Sequence, residues 1–130
     1  MADGLAATTL ANKWLNMLSG SAFTAPSATY VQLHTGGPGS AGTSNVSSVT
    51  TREAVTWGSA SAGSVSESNT PTWSSWGGTN GEVVTDISVW DASSSGNFLF
   101  SAQLSSSVTM DTGDTLELTT LTVAFTPIAA

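Results

Sequence analysis

Between Glu82 and Trp90 the chain alternates, with Val83, Thr85, Ile87 and Val89 on one parity and Val84, Asp86, Ser88 and Trp90 on the other. That period of two is the one a pleated strand imposes. A turn of Asp91, Ala92, three serines, Gly96 and Asn97 follows, and then Phe98, Phe100, Ala102 and Leu104 share one face of a second strand. Asp111-Thr112-Gly113-Asp114 makes another turn, since glycine tolerates positive φ and an aspartate can bond its own local backbone. Leu116-Glu117-Leu118 resumes the strand pattern. These three runs predict a β-meander.

The rest of the chain is read around it. Thr29–His34 alternates as a strand, and the glycine-rich stretch from Thr35 to Asn45 is a long loop without regular structure. Thr51–Trp57 is a strand ended by Gly58, and Gly63–Ser66 is a short one. Thr72–Trp76 is a further candidate, with Pro71 placing it at a sheet edge or strand start. Near the C-terminus Leu116 and Leu118 share one parity, whereas Leu121, Val123 and Phe125 share the other. A strict strand cannot keep both sets inside, because a one-residue shift flips every side chain, so a bulge is expected near Thr119-Thr120. Seven or eight short strands predict a mainly-β fold, an antiparallel β-sandwich or jelly-roll-like barrel.

One helix precedes it, predicted over residues 3–19. Asp3 is the expected N-cap, and Gly20 supplies the stop. Ala7, Leu10, Trp14 and Met17 or Leu18 recur at spacings of three and four, which draws one apolar stripe. Two readings stay open: the stripe covers one end of the sheet, or it docks on a neighbouring subunit. The chain therefore divides into residues 1–25, a helix and linker able to serve as an attachment arm, and residues 26–130, a single β domain.

Composition changes this picture in one respect. Only 8% of residues are charged, whereas Ser and Thr together account for 42 of the 130. Ordinary domains carry about 25% charged residues. Short hydroxyl side chains suit strands, turns and close subunit contacts, where a long charged side chain would have to be desolvated. The net charge of −7, with Lys13 and Arg52 the two cations, argues against nucleic acid and against anionic membrane surfaces as partners. Without cysteine there is no disulfide framework or thiolate chemistry. No apolar run approaches a membrane span of about 20 residues, and no secretory signal is expected.

Candidate chemistry is sparse. His34, the one histidine, stands at a strand end without an identifiable partner, and no G-x-S-x-G context surrounds any serine. One histidine without cysteine makes a zinc site a poor fit. Asp91, Asp111 and Asp114 lack the alternating pattern of a calcium loop. Asp111-Thr112-Gly113 matches the tripeptide of aspartic proteases, but Asp114 would set a further carboxylate beside the dyad, and the turn reading is preferred. No cofactor, metal or catalytic residue is assigned. Arg52 is expected to form a structural ion pair with Glu82, Asp86 or Asp91. Trp57 and Trp90 are expected in or at the edge of the core. Trp73 and Trp76, three apart amid serine and glycine, are harder to bury together; exposed, they would serve a protein interface or stack on a sugar. The candidate interface is thus Leu10, Trp14, Met17, Leu18, Trp73 and Trp76.

Several of these segments in order carry a family resemblance. Tyr30-Val31-Gln32-Leu33-His34-Thr35, then Arg52-x-Ala54-Val55-Thr56-Trp57-Gly58 and Ser59–Ser66, resemble small virion proteins of tailed bacteriophages infecting actinobacteria. Ile87-Ser88-Val89-Trp90-Asp91-Ala92, Gly96-Asn97-Phe98-Leu99-Phe100 and Gly113-Asp114-Thr115-Leu116 are similar to the second half of the same family. The resemblance spans roughly residues 30–123 and leaves the helix and the tail after Thr126 outside it. Members are labelled minor tail, tail-fibre-like or minor capsid proteins. The resemblance implies a non-enzymatic structural subunit, trimeric, whose partners are its own copies and the major capsid or tail proteins of a virion assembled in the host cytoplasm. At 130 residues such a subunit suits a knob or a capsid decoration. The competing class is a carbohydrate-binding module reading host glycans through Trp73 and Trp76.

Overall fold

The computed structural model describes residues 3–125. Its fold is mainly β, with antiparallel sheets and one short N-terminal helical segment, as the strand count predicts. The strands are β1 (Thr29–His34), β2 (Glu53–Val55), β3 (Ser64–Ser66), β4 (Thr72–Trp73), β5 (Glu82–Trp90), β6 (Phe98–Met110), β7 (Leu116–Glu117) and β8 (Thr122–Ala124). Four of them form one sheet in the order β2-β1-β5-β6, while β3 pairs with β8 and β4 with β7 as two-stranded ribbons.

Register explains what each face of the sheet holds. Val31 lies opposite Val89 and Leu33 opposite Ile87, so these four share a face. They join Val55, Leu99, Trp73, Trp76, Leu116, Leu118 and Leu121 in one buried cluster, which packs the β4–β7 ribbon against the sheet. On the opposite parity Gln32 faces Ser88 and His34 faces Asp86, and all four are buried too. Burial on both faces requires a second cover. The loop after β1 supplies it, with Thr35, Asn45 and Ser47 bonding back along the strand and Pro38 fully buried. Gly42 in that loop has φ +72, and a Cβ there would stand 2.6 Å from the Phe98 ring. Only glycine lets the loop lie this close.

The meander is a hairpin. β5 and β6 pair along their length, but the third run leaves the sheet: β7 pairs with β4, placing Leu116 opposite Trp73. The bulge expected at Thr119-Thr120 is likewise absent. The strand breaks between β7 and β8, whose halves join different ribbons, so Leu116, Leu118 and Leu121 are all buried despite their parity conflict. A larger irregularity sits in β6, where Val84 faces Val108 and Asp86 faces Gln103. Residues 104–107 therefore stand against Thr85 alone. Such a bulge blunts an outer strand against edge-to-edge pairing.

The helical segment begins later than predicted. Ala7–Ala11 form a wide π-type turn, Asn12–Asn16 form helix α1, and Met17–Ser19 tighten into a 3-10 turn. Asp3 is not the N-cap. Residues 4–6 run extended along β6, with Ala6 N–H donating to Leu99 O at 2.7 Å and Ser101 N–H to Gly4 O at 2.9 Å. Those bonds to an open sheet edge hold residues 4–6 extended and out of the helix. The stop at Gly20 is as predicted, in left-handed conformation at φ 82.

Candidate functional site

The polar face of the sheet gathers most of the chemistry-bearing side chains. His34 Nδ1–H donates to Ser44 O at 2.8 Å, which fixes the tautomer and leaves Nε2 as an acceptor. Ser88 Oγ–H donates to that Nε2 at 2.7 Å, and the indole of Trp90 donates to Ser88 Oγ at 2.7 Å. Burial holds the His34 pKa below its usual value; the Ser44 bond and the facing Asp86 oppose that shift and Arg52 adds to it. The imidazole is neutral. A serine hydroxyl beside a histidine is the geometry of an activated nucleophile, but here His34 and Ser88 expose no surface and the outer nitrogen meets a carbonyl. A group no substrate can reach is a structural pin. Among the described residues, no buried side-chain polar atom is left without a partner.

Arg52 closes the same face from above. Its Nε donates to Gln32 Oε1 at 3.2 Å, and its Nη1 donates to Ala92 O at 3.0 Å and Ser95 O at 2.7 Å. The guanidinium lies 3.8 Å from the centre of the Trp90 ring. The expected carboxylate partner is thus replaced by two carbonyls, an amide and an indole. Burial lowers the guanidinium's pKa and the nearby Asp91 opposes that. The Asp91 carboxylate is instead spent on Asn97, from its backbone N–H at 2.6 Å and its side chain at 2.7 Å. Glu82 is held by the Ser47 hydroxyl and the Ser48 N–H. Burial pushes its carboxyl up, but bonds from Ser47 and Ser48 outweigh that and leave it below its ordinary value.

Trp73 and Trp76 are core residues, exposed by 3% and 2% respectively. Ser75 takes the left-handed conformation at φ 52 and interrupts the strand alternation between them. Both indoles therefore turn inward, donating to Thr51 O at 3.0 Å and to Thr79 O at 3.2 Å. Neither offers a ring face to a sugar or a partner. Asp111-Thr112-Gly113-Asp114 is a turn: Asp114 N–H donates to Asp111 O at 3.0 Å, and Asp114 Oδ2 accepts from Asp111 N–H at 2.9 Å.

The N-terminal segment divides its apolar side chains in two. Leu10 is buried in the main core, and Trp14 packs against that core and meets Phe125 edge-on, with ring centroids 5.1 Å apart. Farther along, the helix overruns the body: Leu15 is 63%, Met17 52% and Leu18 89% exposed. The first half of the predicted stripe, Leu10 and Trp14, thus covers the body, as the first reading expects, whereas Met17 and Leu18 stand exposed. Beside it runs an open cleft of about 570 Å³ whose apolar lining includes Trp14, Phe23, Pro26, Trp57, Phe100 and Val123. Neither the exposure of Leu15 nor the cleft is readable in the sequence, because both depend on where the helix meets the sheet.

Residues 5–126 match the model of the family described as podophage GP4 fiber I protein gp80. The match takes in the helical segment, which the sequence resemblance over residues 30–123 leaves out. No curated protein matches the chain.

Proposed function

The chain belongs to the podophage GP4 fiber I protein gp80 family, and from that premise we propose that it is a non-enzymatic subunit acting by protein–protein assembly. Membership makes it a phage fibre-type structural protein and a component of the virion. In the proposed reading it forms a homotrimer, joins other virion proteins, and sits at a tail appendage or as a decoration on the head. The ordered motifs from Tyr30 to Leu116 support an actinobacterial host, and residues 1–25 act as the attachment arm. The observation that carries the reading is the apolar helix end, with Leu18 89% exposed on a chain whose Ser88 and His34 are sealed. A subunit built for assembly presents uncharged apolar surface and needs no reachable reactive group.

Imaging of phage particles with and without this subunit is the test. The reading expects one discrete feature of the particle to vanish on deletion and to return with the tagged chain. Particles that keep every feature, together with a purified chain that binds neither capsids nor tails, would refute it. Sugar recognition through Trp73 and Trp76 is not favoured, since both rings lie within the core.

A further inference from the structure

We propose that copies of this chain associate head to tail, the overrunning helix end of one copy (Leu15, Met17 and Leu18) seating in the apolar cleft of the next. This rests on the reading that the chain works by assembly. None of these three side chains lines the cleft of its own chain. Each copy therefore presents one apolar projection and one apolar recess. The recess, at about 570 Å³, falls within the roughly 300–1,000 Å³ of pockets that take an organic ligand, and so has room for a few aliphatic side chains.

The distribution of charge leaves this contact open to a second copy. At a net charge of −7, two copies repel each other wherever their carboxylates come together. Residues 4–52 contain both cations and no carboxylate, whereas eight of the nine carboxylates lie at Glu53 or beyond. The projecting helix belongs wholly to that carboxylate-free stretch. The near wall of the cleft, from Leu10 to Thr29, belongs to it as well, whereas the far wall, residues 54–57 with Val65, Leu99, Phe100 and Val123, lies beyond it. A head-to-tail contact joins two different surfaces, so it closes into a ring when the rotation between copies permits. The outer edge of β6 is the competing surface, but its bulge at residues 104–107 disrupts the ladder that strand addition needs.

The absence of cysteine makes the test clean. Leu18→Cys and Ser27→Cys chains, the second altered at the exposed cleft wall, are co-expressed and treated with a short bismaleimide. A covalent dimer is expected chiefly in the mixture, at least several-fold above either variant alone. Leu15→Gln/Leu18→Gln is expected to reduce the wild-type assembly to a monomer that keeps the far-ultraviolet circular dichroism of the folded chain. Crosslinking of Leu18→Cys with itself as efficient as the mixture, or an assembly unmoved by the double substitution, overturns the proposal and leaves the structural function standing. A wild-type chain that is monomeric and also fails to join particles overturns both.

Discussion

His34 Nε2 lies 2.7 Å from Ser88 Oγ on the neighbouring strand, and neither residue exposes any surface. Because Trp90 donates to the same oxygen, one hydroxyl satisfies two buried nitrogens at once. Ser88→Ala removes both partners while preserving shape. Each buried group left unpaired costs about 1–3 kcal/mol, so the variant is expected to lose roughly 2–4 kcal/mol. Urea denaturation measures this as a lower midpoint at unchanged slope; a midpoint equal to that of wild type would show that the triangle is dispensable.

The same site sets a pH dependence. Burial holds the folded His34 pKa below its unfolded value of about 6.5. Below that value the unfolded chain takes up a proton that the folded chain resists, so stability falls as pH drops through about 6.5. Above it both states are neutral and His34 contributes no slope. Glu82 and Asp91, also held low, add a further loss only at more acidic pH, through the unfolded carboxylate range. Melting curves of wild type and His34→Gln between pH 7.5 and about 5.5 separate the two effects. Wild type is expected to lose stability over that window, and the variant to be flat.

Arg52 joins Gln32, the carbonyls of Ala92 and Ser95, and the Trp90 ring, tying the β5–β6 turn back to β1. A lysine keeps the charge but loses the planar fork and most of the stacking. Arg52→Lys is expected to cost about 1–2 kcal/mol. Hydrogen exchange should localise the loosening to residues 91–97. An effect spread evenly over the sheet would argue against the clamp.

Two glycines of similar φ separate strain from contact. Gly42 at φ +72 would place a Cβ 2.6 Å from Phe98, whereas Gly81 at φ +77 has nothing within 4 Å. Gly81→Ala is expected to cost the backbone term alone, about 1–2 kcal/mol. Gly42→Ala adds overpacking of roughly 1–3 kcal/mol. Equal losses in the two variants would mean that the loop relaxes away from Phe98.

Local pattern made part of this structure legible. β1, β5, the start of β6 and the stop at Gly20 follow from alternation and turn chemistry that act over a few residues. The partners of β7 and β8 do not. Leu116 and Leu121 announce a parity conflict, but a bulge and a change of sheet resolve it equally well until tertiary pairing decides. The burial of Trp73 and Trp76 is hidden from the local pattern for a related reason. The left-handed turn at Ser75 that brings both indoles inside is stabilised by Trp76 bonding across to Gly113 and Asp114, far away in sequence. His34 lacked a visible partner because Ser88 becomes its neighbour only once β1 and β5 pair. The helix stripe was readable, but the point at which it runs out of sheet to cover was not.

The central claim, that this fibre-family chain works by assembling with itself, is tested most directly by sedimentation equilibrium of the purified protein over a wide concentration range. A mass three times that of the chain, persisting on dilution to the micromolar range, is the predicted result. A single-chain mass at every concentration would contradict it.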